Sequence, residues 1–354
     1  MPLTVGEREL PALRGGLLAL GAALLFGAST PLVQKYGAGV GGFWTAALLY
    51  MGAALAGGFS LRPVTREARL RRTDLPRVVA MAACGAALGP VLLVWGLERA
   101  SGTGASLMLA LEAVFTALFA RAMYAEQLDR RVALAMGLLT AGGAVLVLDG
   151  GLTTGSNYLP GLLAVLGATA AWGLDNTLSR GVAERDPGQV VLVKAILGVL
   201  ATSLLAIGFG QPFPAVAPAL ALFAVGAVGY GFSLRLYLLA QREFGAARTG
   251  SVFAFAPFIG AGVAFAFDPR GASLWLGVGA ALMLAGVVLH LAERHTHEHA
   301  HAPLEHEHAH SHDDGHHTHT HDAIPVGPHS HAHRHEAVTH VHPHVPDAHH
   351  AHRH

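Results

Sequence analysis

An all-helical integral membrane protein, with ten transmembrane helices in two inverted five-helix repeats, is the fold the sequence predicts. Three observations lead there. Charged residues make up 13% of the 354-residue chain and hydrophobic ones 52%, whereas soluble domains carry roughly 25% charged residues. Long apolar stretches recur, each near the roughly 17–25 residues that a spanning helix needs. The second half of the chain also repeats features of the first.

The apolar segments run over 15–33, 43–60, 76–97, 102–121, 131–149, 159–179, 189–208, 217–239, 246–267 and 272–292. Their continuous apolarity predicts helices, since barrel strands would alternate. The first follows Arg8 and Arg14, in the manner of a signal peptide. It is longer than a signal core and has a counterpart later, which makes it a retained span. The chain contains 44 glycines. Small residues let helix backbones approach closely in lipid, and Gly85 and Gly89 have the GxxxG spacing. A single cysteine, Cys84, excludes an internal disulfide and any CxxC site.

Orientation follows from Lys and Arg. With the N-terminus in the cytoplasm, inside segments hold Arg8, Arg14, Arg62, Arg66, Arg69, Arg71, Arg72, Arg77, Arg121, Arg130, Arg131, Arg180, Arg185, Arg242, Arg248 and Arg294. Outside segments hold Lys35, Arg99 and Arg270. The positive-inside rule then places both termini in the cytoplasm of a multi-pass plasma (inner) membrane protein.

The repeat is visible in the text. GLLALGAALLFGASTPLVQK in the first span parallels GLLAVLGATAAWGLDNTLSR in the sixth, with Phe26-Gly27 matching Trp172-Gly173. LLTAGGAVLVL ends the fifth as ALMLAGVVLHL ends the tenth. Five is odd, so the second copy is inverted, an arrangement common in transporters with a site near the midplane. The expected organisation is a cytoplasmic N-terminus (1–14), a first repeat (15–150), a second repeat (151–294) and a tail (295–354).

Two five-helix copies, a Phe/Trp-Gly pair in each first helix, and a fourth helix of the form LE-x-x-F-x-A-L resemble the EamA family of the drug/metabolite transporter superfamily. VLLVWGLERASGTGASLMLALEAVFTALFA is similar to its third and fourth helices, and GFSLRLYLLAQREFGAARTGSVFAFAPF to its eighth and ninth. YAEQL resembles its acidic loop motif. The resemblance covers 15–292 and implies export of a small solute. Two departures stand out. Ala113 replaces the usual Pro after the fourth-helix Glu, which predicts a straighter helix there, while Pro257 keeps it in the second copy. An FDPRG turn replaces the usual acidic residue between helices nine and ten.

Glu112 is the best-placed charge. An ionised carboxylate in hydrocarbon costs at least about 2.5 kcal/mol on insertion scales, so it is expected to face protein or water with a partner. It is either a proton- or cation-binding group beside a central cavity, or a scaffold carboxyl bonded to neighbouring helices. Asp175 and Asn176 lie toward the cytoplasmic end of the sixth helix, with Ser29 and Thr30 as repeat counterparts. The resemblance implies that all four project from cavity-lining helices. Asp175 either contacts substrate or pairs with Arg180 or Arg185. Lys194 and Arg235, each about one turn into a helix, are expected to snorkel to the cytoplasmic surface. A Lys194–Asp175 pair would instead make a cytoplasmic gate. Trp172 is a stacking candidate, although packing or an interfacial belt is favoured for it, as for Trp44, Trp95, Tyr50, Tyr230 and Tyr237. Pro31, Pro90 and Pro257 are expected to interrupt helices and free backbone carbonyls. No segment carries a nucleophile–base motif, a phosphate-binding Gly-rich loop or a basic aromatic surface, so neither an enzyme nor a nucleic-acid partner is expected.

The tail differs in kind: 23 of the 24 histidines lie beyond residue 294. It has too few large apolar residues for a core and is expected to be disordered without ligand. Its His-x-His spacing puts imidazoles on one side of an extended chain. Candidate metal ligands are His295, His297, His299, His301, His306, His308, His310, His312, His316, His317, His319 and His321. Neutral imidazole binds Zn, Ni, Cu and Co, and interleaved Glu and Asp add oxygen ligands. Occupancy is expected to fall below about pH 6.5, where imidazole protonates.

The first reading is a permease exporting a small metabolite by alternating access, with the tail regulatory. The second is a carrier of a divalent transition metal loaded through the tail. The third, a membrane-anchored metal buffer, conflicts with the repeat, since an anchor needs one span. Expected partners are a small-molecule solute, membrane lipid and transition-metal ions, with a homodimer as the alternative to a monomer. No cofactor is required, and a divalent metal is expected on the tail.

Overall fold

The computed structural model describes residues 5–62, 67–124, 130–153, 158–244, 246–267, 273–291, 295–301, 304–310, 329–335 and 338–344. The FDPRG turn, most of YAEQL, and His312, His316, His317, His319 and His321 lie outside them. Up to residue 291 every named element is helical. These are α1 (Val5–Gly37), α2 (Gly42–Phe59), α3 (Leu75–Met81), α4 (Gly89–Leu97), α5 (Gly102–Met108), α6 (Glu112–Tyr124), α7 (Arg130–Thr153), α8 (Tyr158–Ser179), α9 (Pro187–Gly208), α10 (Val216–Val225), α11 (Ser233–Phe244), α12 (Ala246–Phe253), α13 (Ala256–Phe267) and α14 (Leu274–Leu291). Short 3-10 turns join or flank several of them.

Among the described residues, seven helical stretches are long and apolar enough to cross a membrane: 14–37, 42–59, 72–97, 102–124, 130–148, 187–208 and 216–241. The apolar stretches Ala256–Phe267 and Leu274–Leu289 are shorter. Leu49, Met81, Leu93, Leu139, Leu162 and Met283 fill the interior, while Leu17, Leu24, Leu204, Phe209 and Leu274 face outward as a hydrocarbon-facing surface requires.

Helix ends carry the chemistry that starts helices. Ser101 caps α5 by accepting from the Gly104 amide at 3.1 Å. Asp186 caps α9 by accepting from Gly188 N at 2.8 Å, with Pro187 at the first helical position. Residues 68–74 are tied to the start of α9. Asp74 accepts from Arg185 Nε at 3.0 Å, and Gln189 Oε1 from Leu70 N at 2.9 Å. A parallel bridge joins Ala68 to Arg185.

Two helices change pitch in the middle. Ala82–Leu88, between α3 and α4, and Gly226–Phe232, between α10 and α11, are π-helical. Such insertions cluster at functional sites because they misalign backbone groups with the regular ladder. Two other spans depart from a regular helix. A 3-10 turn at Leu109–Leu111 precedes Glu112 within the continuous helical stretch 102–124, and α12 stops at Phe253 before α13 begins at Ala256.

Pro31 brings a correction, since α1 runs through it without interruption. The ring removes the bond to the Gly27 carbonyl. Gly260 packs there instead, close enough that a Cβ on it would lie 2.8 Å from that oxygen.

α2 meets α10 and the π turn backbone to backbone. A Cβ on Gly226 would lie 2.5 Å from the Leu49 Cα, and one on Gly52 the same distance from the Ala227 nitrogen. Gly226→Ala is expected to cost about 1–3 kcal/mol through overpacking. Gly262→Ala, which meets open space, is expected to be neutral. Thermal unfolding in one detergent compares them, and equal midpoints would refute the close-packed seam.

Within the tail the described residues form β1 (His295–His301), β2 (Leu304–His310), β3 (His329–His335) and β4 (Val338–His344), with β1 antiparallel to β4 and β2 to β3. The His-x-His alternation has the period of a strand, and pairing satisfies the backbone groups.

Candidate functional site

Two polar pairs and a set of aromatic rings surround a small cavity. Its lining includes Phe26 from α1, Glu112 at the start of α6, Trp172, Asp175 and Asn176 from α8, Tyr230 from the second π turn, Tyr237 from α11 and Phe253 from α12. Its volume is about 60 Å³. That is far below the roughly 300 Å³ at which small-molecule pockets begin.

The 3-10 turn before Glu112 places it at the first residue of α6, which packs against α8. Asn176 Nδ2 donates to Glu112 Oε1 at 2.5 Å. One residue earlier, Asp175 accepts through Oδ2 from Lys194 Nζ. Both members of this ion pair are buried, at 4% and 2% exposure. Lys194 therefore does not snorkel, because its ammonium finds a carboxylate inside the protein. Asp175 is not held by Arg185, whose Nε goes to Asp74. The charges of Asp175 and Lys194 offset each other, which leaves Glu112 as the other formal charge among the lining residues. Asp175 Oδ1 and the Tyr230 hydroxyl are buried with no hydrogen-bond partner among the described residues.

The first π turn supports this arrangement. Its Gly85 carbonyl accepts from Tyr50 Oη at 2.6 Å and from Trp172 Nε1 at 2.9 Å. A Cβ on Gly85 would run into the Asp175 carboxylate, and one on Gly89 would lie 2.7 Å from the Trp172 indole nitrogen. The GxxxG spacing thus seats α8 against the third helix. The indole bond to Gly85 gives Trp172 a structural tether as well as a place in the wall.

Ser29 and Thr30 are buried but do not line the cavity. Ser29 Oγ bonds its own Phe26 carbonyl at 2.6 Å. Its Cβ would lie 2.5 Å from a Cβ on Gly229, so it fills the notch in the second π turn. The aromatic wall is larger than expected. Phe26 meets Trp172 edge-on at 5.7 Å and 85°, Tyr230 at 5.7 Å and Phe253 at 5.4 Å. Tyr237 stacks edge-on against Phe253 at 5.0 Å. Phe26 was legible as the repeat counterpart of Trp172, while Phe253 and Ser233 carried no signal beyond their apolar or small surroundings. Trp44 donates to Gln211 O at 3.1 Å, and Trp95 is stacked by Arg99 at 3.8 Å, both away from the cavity.

The sequence profile of the EamA-like transporter family matches twice, over residues 13–148 and 159–292. The chain belongs to the EamA-like transporter family. This EamA protein is therefore a multi-pass membrane protein of the transporter class rather than an enzyme, built from two repeats. It is 29% identical over 228 residues to an "Uncharacterized transporter" of Methanothermobacter thermautotrophicus (strain Delta H). That match covers 63% of this chain and 66% of the relative, slightly under two thirds of the relative's length. A crystal structure of a protein sharing 19% identity superposes with a TM-score of 0.58, over 78% of this chain and 94% of the other. This likeness shows the fold alone.

Proposed function

We propose that this EamA protein is a secondary transporter that exports a small organic metabolite across the plasma membrane by alternating access, around the cavity at Glu112 and Asp175. In this reading the two repeats form ten spans and are inverted, with both termini cytoplasmic. The observation that carries it is a wall contributed by both repeats. Phe26 and Glu112 come from the first, and Trp172, Asp175, Asn176, Tyr230, Tyr237 and Phe253 from the second.

Correspondences between the repeats support the inversion. The counterparts Phe26 and Trp172 meet each other. Gly27 packs on the start of α13 as Gly173 packs on α6, and Ser29 packs on Gly229 as Asp175 packs on Gly85. Both third helices carry a π turn. Two inverted halves can rock to expose one central site to either side. At about 60 Å³ the cavity holds less than a solute, so in this reading the halves separate there to admit one.

Aromatic faces and the Glu112 carboxylate favour a solute with an apolar body and a cationic or hydrogen-bond-donating group. A solute and metal sensitivity screen of a deletion strain, with a form lacking 295–354 as control, tests this. The expected result is sensitivity to an organic solute, rescued equally by the full-length and tail-less forms. Loss of Ni or Zn efflux on tail removal would replace this reading with metal transport.

A further inference from the structure

We propose that the two tail ladders are metal-binding ribbons, in which each divalent ion is shared by histidines at opposite positions of the strand register. Loading then holds the two arms of the tail together. This rests on the reading of the tail as metal-binding and adds a specific set of partners to it.

Composition alone leaves any histidine free to join any other. The strand register does not. In the first ladder His295, His297 and His299 lie opposite His344, His342 and His340. In the second, His306, His308 and His310 lie opposite His333, His331 and His329. The second ladder nests inside the first, so the four strands are two arms of one hairpin order. Alternate residues of a strand share a face, and residues directly opposite share it too. Three histidine pairs therefore gather on one face of each ribbon. The intervening positions, Thr296, Glu298 and Ala300 with Val341 and Thr339, belong to the other face of the first.

Distance favours sharing across the strands. Opposite Cα atoms in an antiparallel pair are about 4.5–5.5 Å apart. Same-face neighbours along one strand are about 6.8 Å apart. Two imidazoles binding one ion at about 2.0–2.1 Å each bridge the shorter gap more readily, and two successive pairs supply four nitrogen donors. A slip of one residue would set the paired histidines opposite residues such as Thr, Glu, Ala, Ser, Pro, Val or Arg and on the wrong face. An all-nitrogen set suits Zn(II), Co(II), Ni(II) and Cu(II) rather than Mg(II) or Ca(II).

The test uses the full chain in detergent with Co(II) as the probe and Zn(II) as competitor. His297→Gln and His342→Gln are each expected to weaken the tightest class of sites by about tenfold, and the double variant little further, because both remove one shared site. His349→Gln with His350→Gln, outside the ladders, is expected to change nothing. Spin labels at Ala300→Cys and Thr339→Cys in a Cys84→Ala background are expected to report one short separation in the metal-loaded protein. Affinity that falls with the number of histidines removed, wherever they lie, overturns the ribbons. So do labels that stay apart in the loaded protein. Absence of Co(II) binding to the full chain is a different result, which overturns the metal-binding tail itself.

Discussion

Lys194→Met is expected to lower the thermal unfolding midpoint sharply in detergent, and Asp175→Asn added to it is expected to restore most of the loss. The single change leaves Asp175 buried at 4% exposure beside no cation. Breaking a buried pair in this way costs about 3–5 kcal/mol, whereas replacing both partners with neutral groups is often harmless. Neighbouring contacts give the carboxylate no relief. Gly85 leaves it just enough room, and Oδ1 has no hydrogen-bond partner among the described residues. The midpoints of parent, single and double variants in one detergent decide the matter. A Lys194→Met protein as stable as the parent would remove the pair from the account of the fold. A stable double variant that no longer transports would assign the pair to the gate as well.

Glu112→Gln is expected to act on transport and not on folding. The amide oxygen of Gln still accepts from Asn176 Nδ2, so the bond now made to Glu112 Oε1 survives. What disappears is the carboxylate of the cavity wall that no lysine offsets. The initial rate of gradient-driven transport of the cargo in reconstituted vesicles is expected to fall at least about tenfold, equivalent to about 1.4 kcal/mol. Exchange of the cargo without a gradient should persist. An unchanged driven rate would return Glu112 to the scaffold. The second repeat has Ala256 near the matching place, so no second carboxylate can substitute.

Helix positions were legible because hydrocarbon demands long apolar runs, and Phe26-Gly27 against Trp172-Gly173 revealed the repeat. Glu112, Trp172, Asp175 and Asn176 were legible as candidates because polar or aromatic groups are conspicuous in such runs, and the structure brings them to one cavity. Lys194 was misread. A lysine one turn inside a helix looks the same whether it reaches outward to water or inward to a carboxylate, and only the packing of α8 against α9 decides. Ser29 and Thr30 followed from the repeat, but symmetry of sequence does not carry symmetry of role when Gly229 offers a notch and no cation. The π turns left no trace, since an extra residue per turn changes neither apolarity nor length. The tail strands were not among the expectations, although the His-x-His alternation has the period of a strand.

The seam between α2 and the second π turn has one more consequence. Gly52 and Gly226 bring main chain against main chain, with Phe223, Ala227 and Leu49 contributing backbone atoms to the contact. No interlocked rotamers stand between the two rods at these points. The register of the two rods is therefore set by where the chain lacks a Cβ. A shift of one along the other would bring a residue with a side chain to a place that only Gly52 or Gly226 fits, so the glycines act as a key as much as a spacer.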